Sequence, residues 1–173
     1  MCEHQLTTEE LFCLEGCRNF PQYELMRKHF EAEHCAFCFL DPEKNVVLWE
    51  DQYAIAWSVH PTLKQKGLSE HLIIIPKRHV RFEHDLTDAE VLSMHHAAKY
   101  LATQFPLPGG IYATRFGDMR LNAGTVTHLH KNIMVPNGTD EVRVPVFKTP
   151  ADRELNVARA KAFAMHYEAT MQV

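Results

Sequence analysis

Between Thr127 and Val135 polar and apolar side chains alternate, and this alternation constrains the chain more than any other feature. Successive side chains of an extended strand point to opposite faces. His128, His130 and Asn132 then share one face, while Leu129, Lys131 and Ile133 share the other. Three neighbouring polar groups on a central strand are costly if buried without partners. They call for a ligand, a metal or a hydrogen-bond network, unless that face is solvated; the His128-Leu129-His130 pair alone leaves those alternatives evenly balanced. Gly124 and Thr125 tip the balance towards a ligand. Glycine lets backbone approach a bound group, and a threonine hydroxyl can hold a phosphoryl or leaving-group oxygen.

The remaining pattern predicts an α+β fold with an antiparallel sheet. Thr7-Thr8-Glu9-Glu10 has the form of a capping box, and Asn19-Phe20-Pro21 interrupts the helix it opens. Gln22 to Glu33 is predicted as a second helix, with Tyr23, Met26 and Phe30 at helical spacing. Val46–Glu50 and Tyr53–Val59 are predicted as a hairpin, and His71–Pro76 as a central aliphatic strand. Thr87-Asp88-Ala89-Glu90 opens the long central helix, expected to run to about Gln104 before Pro106 and Pro108. Gly110–Phe116 and Thr127–Val135 are the next strands, and Val142–Phe147 a sixth, placed at an edge or a dimer contact by Pro145. A C-terminal helix is expected over Asp152–Thr170, with Ala158, Ala162, Phe163 and Tyr167 on its buried side. The expected division is a helical extension over 1–34, a main domain over 35–149 and a C-terminal helix over 150–173 packed on or beside it.

Composition narrows the function classes. The chain has 173 residues, 46% hydrophobic, which suits one domain with terminal elaborations. Its net charge of -4 argues against a general nucleic-acid binder, though not against a local cationic pocket. The longest aliphatic run, Leu72-Ile73-Ile74-Ile75, is far too short to span a bilayer. Met1-Cys2-Glu3-His4-Gln5 has no basic stretch followed by an apolar one, so neither a signal nor a transit peptide is expected. The five cysteines Cys2, Cys13, Cys17, Cys35 and Cys38 are an odd number, pointing to reduced thiols or metal ligands and a cytoplasmic protein. The 12 histidines suggest metal, proton-transfer or nucleophilic chemistry only where position supports it.

Three segments together resemble the histidine triad (HIT) superfamily of nucleotide hydrolases and transferases. Thr125-Val126-Thr127-His128-Leu129-His130-Lys131-Asn132, followed by Ile133-Met134-Val135-Pro136, is similar to the Ser/Thr-x-x-His-x-His-x-His signature. Glu70-His71-Leu72-Ile73-Ile74-Ile75-Pro76-Lys77-Arg78-His79 resembles the family's Ile-Pro-Lys-x-His strand and turn. Cys35-Ala36-Phe37-Cys38 resembles the opening of many bacterial members. The three stand in family order and cover about 35–137. The resemblance implies a HIT-like sheet of five or six strands with one long central helix.

It also implies a mechanism. His130 is the expected nucleophile, exposed in a groove, attacking the α-phosphorus of a dinucleoside polyphosphate or nucleoside phosphoramidate to give a nucleotidyl-histidine. Thr125 is expected to contact the phosphate or leaving group, helped by backbone N–H groups near Gly124, with Lys77, Arg78 or Arg115 as sources of positive charge. Asn132 departs from the pattern, standing where the family has its third histidine. An amide donates a hydrogen bond but exchanges no proton near neutral pH. The family's uridylyltransferase and phosphorylase branch carries Gln there, so transfer becomes an alternative to fast hydrolysis. A second departure is Ala56-Trp57-Ser58-Val59-His60, where many hydrolases carry the acidic residue that grips ribose.

Zinc-bearing members of the family imply a ligand set of Cys35, Cys38, His79 and His128, closed and structural. The residues alone also allow two packed thiols, with His79 on the surface, or a redox pair, although no thioredoxin-like pattern follows. Three functions are therefore in competition: a nucleotidyl hydrolase or transferase, a nucleotide-binding pseudoenzyme, and a zinc protein without nucleotide affinity. A two-fold dimer is the expected assembly by resemblance, and a monomer its alternative. No role is expected for His60, His84, His95 or His96.

Overall fold

The structure is a computed structural model and describes residues 7–155, 158 and 162. Among them, a five-stranded antiparallel sheet runs in the order β1-β2-β3-β5-β4. The strands are β1 Asn45–Glu50, β2 Ala54–Val59, β3 Leu68–Pro76, β4 Ile111–Arg115 and β5 His130–Pro136. Asp51 closes the first hairpin, its carboxylate accepting from the Tyr53 and Ala54 amides at 2.8 and 2.9 Å. The aliphatic β3 is central, as expected, and buried along most of its length.

The period of two decides which side each residue serves. Ala54, Ala56, Leu72, Ile74, Leu129 and Ile133 meet Met94, Ala97, Ala98 and Leu101 of the long helix α3, Asp88–Gln104. The small alanines on both sides allow close approach. Thr87 caps α3 in the expected box: its hydroxyl accepts from the Glu90 amide at 3.3 Å, and Glu90 returns the bond to the Thr87 amide at 2.8 Å. On the opposite face Trp57, Ile73 and Ile75 pack with Phe37 and Leu63. That face also carries His71, His130 and Asn132.

The N-terminal residues share a core with the rest. α1 is Thr8–Leu11, and a 3-10 turn follows at Leu14–Gly16. α2 runs Phe20–Glu31, starting before the expected Gln22 because Asn19 caps it, accepting from the Gln22 amide at 2.9 Å, and Pro21 fits the first turn. Leu11, Phe12, Cys17 and Met26 pack with Cys35, Ala36 and Val126, and Tyr23 and Phe30 join them.

This union shortens the fifth strand. The Thr127 amide donates to Leu11 O at 3.0 Å, the Leu129 amide to Val80 O at 2.8 Å, and Phe12 bridges Val126. With that backbone engaged elsewhere, β5 starts at His130 rather than Thr127. His128 therefore lies just before the strand, beside the Phe37 ring that also meets His130.

Two further expectations need correction. Residues 142–147 form no sixth strand. Pro145 has no amide to give, and side chains take the segment's carbonyls instead: Gln65 Nε2 donates to Arg143 O at 2.8 Å and Arg115 Nη2 to Pro145 O at 3.0 Å. The helix expected over Asp152–Thr170 begins at 150 and is helical through 155, beyond which most of it, with Phe163 and Tyr167, lies outside the described residues. Ala158 and Ala162 are exposed rather than buried, consistent with an apolar period too loose to make one stripe.

Candidate active site and metal-ligand cluster

On the sheet face away from α3 lies a cavity of about 70 Å³. β3 contributes His71, β4 contributes Arg115, and β5 contributes His130 and Asn132. Gly124 and Thr125 line it from the preceding loop, Gly16, Arg18 and Gln22 from the N-terminal segment, and Pro145 and Lys148 from the C-terminal side. The predicted residues His130, Asn132, Thr125 and Gly124 are thus brought together. Arg18, Gln22, His71 and Lys148 also line the cavity, and no sequence signal assigned them there.

His130 has a defined tautomer. Its Nδ1 lies 2.7 Å from the backbone oxygen of His128, so Nδ1 carries the proton and Nε2 keeps a bare lone pair. Among the described residues Nε2 makes no hydrogen bond. The Phe37 ring stands edge-on to the imidazole, with centroids 5.1 Å apart. Burial, the largest cause, lowers the His130 pKa to about 4.

Asn132 is oriented by its own bonds. Nδ2 donates to Ala113 O at 3.0 Å, leaving Oδ1 to accept from His71 Nε2 at 3.0 Å. That fixes His71 with its proton on Nε2 and leaves Nδ1 buried without a partner. Burial lowers the His71 pKa from 6.5 to about 4, with the Asn132 bond acting the other way; Arg18, Arg115 and Lys64 lower it further, and His130 also lies near. The folded state therefore refuses a proton that the unfolded chain accepts. Stability is full above 6.5 and declines as pH falls to about 4, a loss on the order of 3 kcal/mol from this group. Denaturation at both ends of the interval should show a smaller loss for His71→Gln than for the wild-type chain; equal losses contradict the assignment.

Thr125 Oγ1 accepts from Gln22 Nε2 at 3.4 Å and retains its own proton for a ligand. The Gly124 amide itself is donated to Asn122 Oδ1 at 2.8 Å. Of the three candidate cations only Arg115 lines the cavity. Lys77 pairs with Glu50 at 2.6 Å, and Arg78 with Glu90 at 2.8 Å.

The expected open groove is not observed. His130 is only 6% exposed, because the N-terminal segment and 144–148 lie across the cavity. Lys148 Nζ donates to Gly16 O at 2.6 Å and ties the two covers together. A Cβ on Gly16 would drive into the Gly124 carbonyl oxygen, so only glycine allows this seating. Gly16→Ala should lift the turn and speed diethyl pyrocarbonate modification of His130 by about tenfold, in line with a cover destabilised by ~1.4 kcal/mol. Peptide mapping reads this, and unchanged modification would exclude the cover as the barrier.

Beside the cavity, the sulfurs of Cys35 and Cys38 and one nitrogen each of His79 and His128 lie within 4.8 Å of one another. His128 Nε2 donates to Pro76 O at 2.9 Å, which turns the bare Nδ1 towards Cys35 Sγ at 3.7 Å and Cys38 Sγ at 3.6 Å. His79 Nδ1 stands 3.5 Å from Cys38 Sγ. Zinc bonds of ~2.3 Å to sulfur and ~2.0 Å to nitrogen give tetrahedral N–S edges of about 3.5 Å, so the donor set fits the ion. The carbonyl behind His128 is the outer-shell partner such a ligand needs. Burial pushes the Cys35 thiol up to about 11, so a thiolate there requires a cation beside it. Cys13, Cys17 and Cys35 are free thiols, but Cys38 is disulfide-bonded, which corrects the expectation of reduced cysteines throughout and means that four-ligand binding requires its reduction.

No protein-family model and no curated protein matches the chain. Solved structures do. A HIT family hydrolase from Clostridium thermocellum is 24% identical, covering 64% of this chain and 96% of that one, with a TM-score of 0.47. A histidine triad nucleotide-binding protein from Candida albicans is 20% identical over 78% of this chain and 99% of that one, with a TM-score of 0.48. A zinc-bound histidine triad family protein from Mycobacterium smegmatis is 21% identical over 78% and 96%, with a TM-score of 0.45. The similarity is one of fold, and this chain's own fold is α+β with a five-stranded antiparallel sheet among the described residues.

Proposed function

We propose that the chain is a nucleotidyl hydrolase or transferase that acts through a covalent nucleotidyl-histidine at His130. One observation carries the reading: the Nδ1 bond to His128 O leaves Nε2 as an unpartnered lone pair in a cavity shared with Thr125 and Asn132. Nε2 attacks the α-phosphorus, the P–N bond forms, and the electron pair of the breaking bond leaves with the departing group. Water or a second acceptor then attacks phosphorus and returns the pair to Nε2. Thr125 donates its hydroxyl proton to a phosphoryl oxygen. Asn132 acts through His71, whose orientation it fixes, and supplies no proton to the leaving group.

Zinc, when bound by Cys35, Cys38, His79 and His128, anchors the loop two residues before the nucleophile and leaves no open position for substrate. Nucleotide access requires displacement of the cover, since about 70 Å³ is far below the ~300 Å³ of a typical small-molecule pocket. The same observation favours a second reading, a nucleotide-binding protein without turnover. Single-turnover reactions with nucleoside polyphosphates, quenched in alkali to preserve P–N bonds, separate the two: transient protein-bound nucleotide supports the enzyme, and nucleotide-induced thermal stabilisation without bound nucleotide supports the binder.

A further inference from the structure

Three cationic side chains far apart in sequence line the cavity: Arg18, Arg115 and Lys148. Among the described residues none of them pairs with a carboxylate. Their protein partners are backbone oxygens: Leu63 O for Arg18 at 3.4 Å, Asn122 O and Pro145 O for Arg115, and Gly16 O for Lys148. An arginine has five N–H donors and a lysine three, so each keeps donors to spare. The groups also raise one another's cost of charge. Burial and the neighbouring cations lower the pKa of Lys148, and burial and Arg115 lower that of Arg18, although Arg18 as a residue remains exposed at the surface. An arrangement that gathers like charges without counter-charge is stabilised by a bound anion.

The size and the remaining polar wall describe that anion. A volume of about 70 Å³ is roughly two water molecules' worth, the room of one tetrahedral oxyanion and not of a nucleoside. The wall also holds the unpartnered acceptor His71 Nδ1, on a residue only 2% exposed. Hydrogen phosphate offers both negative oxygens for the cations and an O–H for such an acceptor.

We propose that Arg18, Arg115 and Lys148 form a phosphate-binding subsite beside His130, which receives the departing or accepting phosphate of the reaction. This rests, for its catalytic meaning, on the nucleotidyl-histidine reading. It specifies the substrate class. With Asn132 in place of a proton donor, an amine or alkoxide would leave unprotonated, at high energy, whereas a phosphate leaves as a stable anion. Attack by Nε2 breaks the bridging P–O bond, its electron pair stays on the departing phosphate oxygen, and the three cations hold that charge. In the reverse sense an oxygen of inorganic phosphate attacks the nucleotidyl phosphorus and the pair returns to Nε2. Nucleoside polyphosphates are thus substrates, and phosphoramidates are not.

The test measures binding of inorganic phosphate to the full chain by calorimetry and thermal shift, with sodium chloride at matched ionic strength as reference. The wild-type chain should bind phosphate in preference to chloride. Lys148→Gln and Arg18→Gln should each weaken it by about tenfold, the worth of one charge-assisted contact. Lys66→Gln, on an exposed side chain paired with Asp140, should leave binding unchanged. Arg18→Gln carries the test if loss of the Lys148–Gly16 bond unfolds the other variant, because among the described residues the Arg18 guanidinium holds a single long surface bond. Absence of phosphate binding, equal response to chloride, or unchanged binding in Arg18→Gln overturns the subsite. Phosphate binding without any nucleotidyl adduct leaves the subsite standing and removes the catalytic reading; an adduct with unchanged binding in Arg18→Gln does the reverse.

Discussion

His130→Asn should lower nucleotidyl release by about a thousandfold or more, because it removes the group that forms the covalent bond while leaving its surroundings in place. The choice of Asn matters. Its amide can keep the donor that His130 Nδ1 directs to His128 O, so β5 and the loop before it retain their geometry. What is lost is the lone pair at Nε2. Far-ultraviolet dichroism and the melting temperature should stay close to wild type, while the chemical step disappears. Turnover within about tenfold of wild type would mean that another group forms the bond, or that none does. Thr125→Ala should have a milder effect, of about a hundredfold, since one hydroxyl contact to the phosphoryl group is removed and the nucleophile remains.

Cys35→Ser is the second change with a large expected effect. After reduction and zinc loading, wild type should hold one zinc per chain and the variant almost none. Cys35 is fully buried in the core that joins the N-terminal residues to Val126, so the ion would clamp that core to His79 and His128. Losing it should cost on the order of 3–5 kcal/mol, or roughly 10 °C in the melting midpoint for a chain of this size. A serine hydroxyl in that setting has its own penalty of about 1–3 kcal/mol, which a chelator experiment separates. Chelation should lower the wild-type midpoint and leave Cys35→Ser unmoved. A reduced wild-type chain without zinc, or one indifferent to chelation, contradicts the metal centre.

Local signals in the sequence proved sufficient wherever the determining interactions are local. Both capping boxes, at Thr7 and at Thr87, form between residues three apart, and the structure places each as the pattern predicts. The aliphatic β3 is central because no other layer of the fold could bury so continuous a run. The Cys-x-x-Cys spacing and the histidines at 79 and 128 converge on one point, as the family resemblance implied.

Failures came where distant backbone competes for the same groups. Val142, Val144 and Val146 alternate as a strand should, yet Gln65 and Arg115 take the intervening carbonyls and Pro145 has no amide to pair. His128 follows the alternation in sequence but leaves the strand because Leu11 and Val80 bond to residues 127 and 129. Burial of His130 was equally illegible. It depends on Lys148 reaching Gly16, 132 residues away, and on a glycine contact that no local pattern announces. Arg18 and Lys148 read as ordinary surface charges until the fold brings them to one cavity.

The proposed chemistry needs the nucleophilic nitrogen of one imidazole, and mass spectrometry of the alkali-quenched protein reads it most directly. After brief exposure to a nucleoside polyphosphate, the peptide spanning the β5 strand should gain one nucleotidyl group. Fragmentation should assign that group to His130, and it should disappear on longer incubation as product accumulates. Product formed with no modified peptide at any time, or modification on a different histidine, would contradict the account.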